Sequence, residues 1–328
     1  MPTNRSLWQD EPGIPGIIRE SPIPELEDDR VLVKTTLPPF ITYPIILGQD
    51  VAGTVAGAGA TASVKFNVGA RIFGFSCNNG FQEYVILDYN LAAIISQSLS
   101  FAEASVFPLC VTTSSFGLFG KDYLALPYPS LNPVPAGKTI VIWGGNSSVG
   151  SNAIQLAKTA GLEVYTTCSP RSFEYVKSLG ADRVFDYNHA SAIDDLTTEL
   201  DNSPSPCAGI YLAAGQVSHK SKQKIPVASS NPIMPGDTPE GVEAKFTFSD
   251  AGAEGMKETL AATFGGFLLE ALDRVLYKVA PAPEVVSREG LEGIPKALDV
   301  LKNGVSASKV VILSPQQPIM SWSFPPRA

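Results

Sequence analysis

Positive charge is in short supply in this sequence. Against 32 acidic residues stand 24 Lys and Arg, a formal net charge of -8, which leaves no broad basic face for nucleic acid or anionic lipid. A small molecule is the expected partner. Cysteine is scarce as well: Cys77, Cys110, Cys168 and Cys207 are widely spaced and form no CxxC pair. That excludes a dense disulfide framework and points to a reducing compartment. No run of about 18 apolar residues occurs, so no membrane-spanning helix is expected. The opening stretch MPTNRSLWQDEPGIPG lacks an apolar core followed by a small-residue cleavage site, and the expected location is the cytoplasm. Internal repeats and low-complexity tracts are missing too.

What remains is the composition of a folded protein, 44% hydrophobic and 17% charged over 328 residues, long enough for two domains with separate cores. From Val31 to Phe119 short β-rich pieces alternate with glycines: VLVKTT, ILGQDVAGTVAGAG, GARIFGF and FQEYVILD. This texture suits a small barrel-like β domain. Ser100 with Glu103 forms a capping-box pattern that opens a helix, and Pro108 is expected to interrupt it.

After the proline-rich passage LPYPSLNPVPAGK the texture becomes α/β. Strands are predicted at Thr139–Trp143, Leu162–Thr167 and Arg183–Asp186, with helices at Val149–Ala160 and near Phe173–Leu179. Buried strands separated by helices imply a doubly wound parallel sheet with right-handed crossovers. Residues 215–241 read as a long surface loop with at most one strand, around Ile225–Ala228. Strand, helix and strand follow again from about Pro281. Ala261–Leu276 reads as a buried core helix, with a helix bordering a substrate pocket as the other reading, and the tail PQQPIMSWSFPPRA as an irregular extension.

The stretch IVIWGGNSSVGSNAIQLAK (Ile140 to Lys158) is a strand, a glycine turn and a helix start. Free N–H groups of a first helical turn, aided by the helix dipole, hold anions. Between parallel strands the usual anion is a dinucleotide pyrophosphate. Asn146, Ser147 and Ser148 would add donors, and Gly150 would let the helix pack close. The next strand decides between two nucleotides. An NAD site carries an acid about 20 residues past the glycines, whereas here the strand ends in Cys168-Ser169-Pro170-Arg171-Ser172. Hydroxyls and a guanidinium suit a 2′-phosphate, and the expected cofactor is NADP. GGNSSVGS lacks the lysine of a P-loop and the GxSxG spacing of a hydrolase elbow, and both histidines, His189 and His219, precede residue 220. No tyrosine has a lysine four positions on, as short-chain reductases require.

The pieces GQDVAGTVAGAG, GARIFGF, FQEYVILD, SFAEASVFPLCVTTSSFGLF, GKTIVIWGGNSSVGSNAIQLAKTAGLEVYTTCSPRSFEYVKSLGADRVFDY and GLEGIPKALDVLKNGVSASKVVI resemble, in order and over most of the chain, the medium-chain dehydrogenase/reductase superfamily. Within it they resemble the fungal zinc-binding-dehydrogenase-like and trans-acting enoyl reductase-like proteins. The resemblance implies a GroES-like catalytic domain over residues 1–115, completed by 281–328, and a Rossmann domain over 116–280. It places Asn146, Ser147, Ser148 and Val149 on the pyrophosphate, Ser169, Pro170, Arg171 and Ser172 on the 2′-phosphate, and Tyr187 near the adenosine. Thr112, Thr113 and Tyr43 would face the nicotinamide or substrate.

The implied activity is NADPH-dependent reduction of an activated double bond, enoyl or quinone, by hydride transfer. No proton donor is assigned. Family analogy implies a homodimer, and service to a polyketide synthase in trans is a further expectation of the same origin. Zinc-dependent relatives carry Gly-His-Glu where this chain has Gly48-Gln49-Asp50, together with a four-cysteine lobe that is missing here, so no metal is expected. Two shortenings stand out against the family pattern, one after Thr36 and one within 213–232. They motivate an alternative, a catalytically impaired NADP-binding protein with an interaction or regulatory role.

Overall fold

A computed structural model describes residues 4–11, 14–23, 27–28, 30–33, 44–76, 79–214, 225–233, 238, 242–247 and 254–315. Tyr43, the segment that follows Thr36, residues 215–224 and the tail beyond Pro315 lie outside those residues. The chain forms two compact units, Met1–Leu109 with Ala282–Ala328, and Cys110–Pro281.

The first unit is built on β1 (Asn4–Gln9), β2 (Ile17–Ser21), β3 (Arg30–Val33), β4 (Ile45–Ile46), β5 (Asp50–Ala58), β6 (Arg71–Phe75), β7 (Val85–Asp88) and β8 (Ala92–Ile94). They form two antiparallel sheets, β2-β1-β4 and β7-β3-β5-β6-β8. The larger sheet closes over Val51, Val55, Phe66, Ile72, Val85 and Leu87. These are the Val, Ile and Phe that fit a pleated, half-buried surface.

Helix α1 (Phe101–Ala104) starts at a complete capping box, with Ser100 Oγ accepting the Glu103 N–H and the Glu103 carboxylate accepting the Ser100 N–H. It ends at Ala104, before the proline. Pro108 is instead the first residue of α2 (Pro108–Phe119), where a missing N–H removes no helical bond. The division between the units falls inside α2, and residue 115 lies in the same helix. Nearly every α2 residue is buried, including the polar Thr112, Ser114 and Ser115.

The second unit carries β9 (Thr139–Trp143), α3 (Ser148–Thr159), β10 (Glu163–Cys168), α4 (Phe173–Ser178), β11 (Arg183–Asp186), α5 (Ala192–Asn202), β12 (Cys207–Leu212), β13 (Val227–Ser229) and β14 (Ala244–Phe246). Every pairing in this sheet is parallel, in the order β11-β10-β9-β12-β13-β14. That is the Rossmann order, and the direction in which successive strands are added to the sheet reverses between β9 and β12, the position of the ligand crevice in such sheets.

Val141, Tyr165, Leu196, Ile210, Leu212 and Val227 form the core on one face. Ile140 and Ile142, fully buried and outside that cluster, alternate to the other face, where α3 packs on β9 and β10. Beyond β14 run α6 (Glu254–Leu260), a π-helical stretch at Ala261–Phe267 and α7 (Leu268–Asp273). The single core helix expected over Ala261–Leu276 is thus a widened turn followed by six α-helical residues, and Ala261, Gly265 and Gly266 face solvent.

The chain then returns to the first unit as β15 (Ala282–Ser287), α8 (Ile294–Lys302) and β16 (Ser308–Ile312), with β15 and β16 paired in parallel. Leu291, Ile294, Ala297 and Ile312 pack with Leu7, Ile45, Ile46 and Phe81. Asp50, 1% exposed, joins this returning segment to α2. Its Oδ1 accepts the Leu109 N–H at 2.6 Å and its Oδ2 meets Lys309 Nζ at 2.7 Å.

Candidate nucleotide-binding site

The turn after β9 is compressed by design of its sequence. Gly144 has φ +82°, the left-handed region that glycine tolerates best. A Cβ on Gly150 would lie 2.2 Å from the Gly144 carbonyl oxygen, so only glycine lets the first turn of α3 close against the strand end. Two bonds stitch the turn to β10: the Gly144 N–H donates to Thr167 Oγ1 at 3.0 Å and the Gly145 N–H to the Thr167 carbonyl at 2.9 Å. Ser147 is the N-cap, accepting the Gly150 N–H at 3.0 Å while its hydroxyl donates to the Gly144 carbonyl at 2.8 Å. The N–H groups of Ser148 and Val149 have no carbonyl four residues back within the helix. Most of α3 is buried, yet Asn146 to Val149 stay half-exposed. The result is an open helix N-terminus at the crevice edge, suited to an anion.

The tip of β10 lies beside this turn. Asn146 Nδ2 reaches Ser172 Oγ at 3.4 Å, and the Ser172 N–H donates to the Ser169 carbonyl at 2.9 Å across the 3-10 turn Pro170–Ser172. The Ser169 hydroxyl is buried and has no partner, an arrangement that asks for one. Arg171 is exposed at the same tip, and no acid occupies it. Cys168, just before the tip, is not a nucleophile: burial, with the Asp186 carboxylate adding, pushes its thiol up to about 11, so the thiolate is essentially absent at neutral pH. Tyr187, 45% exposed, follows β11.

Helix α2 meets the other side of the turn. Ser114 Oγ donates to the Val149 carbonyl at 2.8 Å, and the buried Tyr211 hydroxyl donates to the Thr113 carbonyl at 3.1 Å. Burial raises the Tyr211 phenol far above its ordinary range, so it stays a neutral donor. Thr112 is 3% exposed, and its hydroxyl, like that of Ser115, is unpartnered. Thr113 is half-buried.

Of the residues singled out in the sequence, Asn146, Ser147, Ser148 and Val149 gather with Ser169 and Ser172 in one place, and Pro170 and Arg171 belong to the same tip. The helix with Thr112 and Thr113 is tied to that place through Ser114. Ser114 and Tyr211 carry no local sequence signal, because their partners stand 35 and 98 residues away. Among the described residues, no three His, Cys, Asp or Glu side chains gather in a metal-binding cluster, and no helix is long and apolar enough to cross a membrane.

Residues 148–204 match the zinc-binding dehydrogenase family. Over 96% of its length the chain is 38% identical to dehydrogenase azaJ of Aspergillus niger, covering all of that protein. It is 37% identical to trans-enoyl reductase himH of Aspergillus japonicus over 83% of this chain and 82% of that one. The azaJ alignment extends over 359 positions while engaging 96% of 328 residues, about 315, so about 44 of its positions face gaps in this chain. The fold matches the solved structure of mycobacterial Rv1454c complexed with NADPH at TM-score 0.70, with 21% identity over 94% of this chain and 99% of that one. A parallel six-stranded Rossmann sheet inserted in an antiparallel, GroES-like unit, together with full-length similarity to the fungal proteins, places the chain in the medium-chain dehydrogenase/reductase superfamily, in its fungal dehydrogenase and trans-enoyl reductase-like group.

Proposed function

We propose that the protein is an NADPH-dependent reductase of an activated double bond, enoyl or quinone, working without a catalytic metal. One observation carries the reading: at adjacent strand ends, β9 offers an open helix N-terminus and β10 offers the unpartnered Ser169 hydroxyl with Arg171 in place of an acid. The first fits a pyrophosphate. The second fits a 2′-phosphate, whose oxygens can accept from Ser169, Ser172 and the Arg171 fork. Tyr187, exposed at the end of β11, is suited to stacking on an adenine.

When bound, the nicotinamide supplies the hydride that adds to the electrophilic carbon. The protein's own part is positioning. Asn146 to Val149 hold the phosphates, and the Ser114 and Tyr211 bonds fix α2 against the turn. The unpaired Thr112 hydroxyl is available to donate to an oxygen on which charge develops. Thr113 is assigned to the same end of the ligand. Asp50 supports the metal-free reading, since both of its oxygens are committed, to the Leu109 N–H and the Lys309 ammonium.

The gaps that this chain leaves in its alignment with azaJ favour one alternative, a protein that binds NADPH and turns over nothing. A fluorescence titration with NADPH and NADH, followed by a panel of enones and quinones, separates the readings. Micromolar NADPH binding, much weaker NADH binding and turnover of a panel member are expected. Arg171→Ala is expected to cost NADPH about tenfold in affinity, the worth of one charge-assisted hydrogen bond, and NADH nothing. Equal losses for both nucleotides would remove the phosphate clamp, and tight NADPH binding without turnover would select the alternative.

A further inference from the structure

We infer that Asn152 and Tyr277 are positioning residues for the phosphate-binding end of α3, acting through one peptide plane and touching no cofactor. The inference rests on the nucleotide-binding reading of that helix.

Helix α3 carries polar residues at 148, 152, 155 and 159, one stripe at helical spacing, where a surface helix would meet water. Here the stripe is interior: Asn152 is 0% and Gln155 3% exposed. Both amides bind the last residues of the second unit. Asn152 Nδ2 donates to the Ala280 carbonyl at 2.9 Å and to the Ser148 carbonyl at 2.8 Å, and its Oδ1 accepts the Tyr277 hydroxyl at 2.9 Å. One turn on, Gln155 Oε1 accepts the Lys278 N–H at 2.7 Å while its Nε2 donates to the Lys278 carbonyl at 3.2 Å. Tyr277 is buried, with its ring edge-on to Phe267. Burial, with Cys110 and Tyr175 nearby, raises its phenol well above the ordinary value, so it stays a donor.

Both Asn152 amide protons are thus used, which is the closed condition under which a buried polar network fixes geometry. The mechanical link is short. The Ser148 carbonyl and the Val149 N–H belong to the same planar peptide unit. Holding that carbonyl from Asn152 therefore aims the Val149 N–H, one of the donors left open at the helix N-terminus. The next plane is held from both ends too, by Ser114 on the Val149 carbonyl and Ser147 on the Gly150 N–H. The anion cradle is rigid because its backbone is gripped from behind.

The test compares Asn152→Ala and Tyr277→Phe with Leu196→Ala, a destabilising change in the core cluster on the other sheet face, which includes no α3 residue. Hydrogen exchange of the 147–152 segment is measured on cofactor-free protein, and NADPH dissociation constants are measured beside it. Faster exchange in both latch variants is expected, with NADPH weakened about tenfold in Asn152→Ala and about threefold in Tyr277→Phe. The Leu196→Ala protein is expected to keep wild-type values for both, whatever its melting temperature. Should Asn152→Ala not fold, Tyr277→Phe decides alone, since it removes only a hydroxyl. Exchange and affinity that merely follow melting temperature across all three variants would overturn the inference. A wild-type chain that binds no NADPH would sink the nucleotide reading, while the exchange comparison would still decide whether the latch orders the turn.

Discussion

Gly150→Ala is expected to lose NADPH binding by about 100-fold or more and to melt about 5 °C lower, since overpacking a closed contact costs ~1–3 kcal/mol. The alanine methyl group would stand 2.2 Å from the Gly144 carbonyl oxygen and 2.8 Å from the Gly145 Cα. Both are backbone atoms, so no rotamer relieves the clash and the first turn of α3 must lift from the strand end. Lifting it moves the Ser148 and Val149 N–H groups and breaks the Ser147 cap on the Gly150 N–H. The two readouts therefore fall together, unlike in Arg171→Ala, where only affinity should change. Calorimetric melting and a fluorescence titration on the same preparation check this. A Gly150→Ala protein with wild-type affinity would show that the turn is not where the phosphates sit.

The second large effect belongs to the first unit. Lys309→Met is expected to destabilise the protein by about 3–5 kcal/mol, because it strands a buried carboxylate without its cation. Asp50 would keep only the Leu109 N–H among the described residues. Asp50→Asn added to the same chain retains an acceptor for that N–H and removes the orphaned charge, so the double variant is expected to be more stable than Lys309→Met alone. Urea unfolding of wild type, both singles and the double gives the coupling directly. Additive losses would mean that the pair does not act as a unit. Such a pair is silent in the sequence, since its members stand 259 residues apart.

What could be read from the sequence follows from how local the cause is. The strand at Thr139–Trp143 was legible to the residue, because a buried parallel strand is written as a continuous apolar run bounded by turns; the edge strand Arg183–Asp186 was legible to the residue as well, from a short apolar pair in the β-α-β spacing. The Ser100–Glu103 box was legible for the same reason, as a three-residue pattern with a three-residue cause. Pro108 was read as a break but acts as a start, since the sequence does not show that a second helix begins at it. The strand near Ile225–Ala228 forms at Val227–Ser229, a shift within a short element whose ends are set by its neighbours in the sheet. The glycine turn and the β10 tip, on which the proposed nucleotide site rests, were legible as a strand, turn and helix start and as a strand end with hydroxyls and a guanidinium. The partners that hold them were not. Ser114, Tyr211, Asn152, Gln155 and Tyr277 act over 35 to 128 residues of separation, and a polar stripe on a helix looks the same whether it faces water or a buried carbonyl. The widened turn at Ala261–Phe267 was also hidden, because its apolar spacing imitates an ordinary helix.

The split first unit has a consequence for birth of the protein on the ribosome. Its β-sheet half is made first, but Leu291, Ile294, Ala297 and Ile312, which complete its second core cluster, and Lys309, which neutralises Asp50, come from beyond residue 281. The intervening unit is continuous, and can close on itself as it emerges. At synthesis rates of about 5–20 residues per second, the N-terminal half waits roughly 10–35 s with apolar surface uncovered. The nascent chain is thus finished from the middle outward, and its earliest residues are among the last to become safe from aggregation.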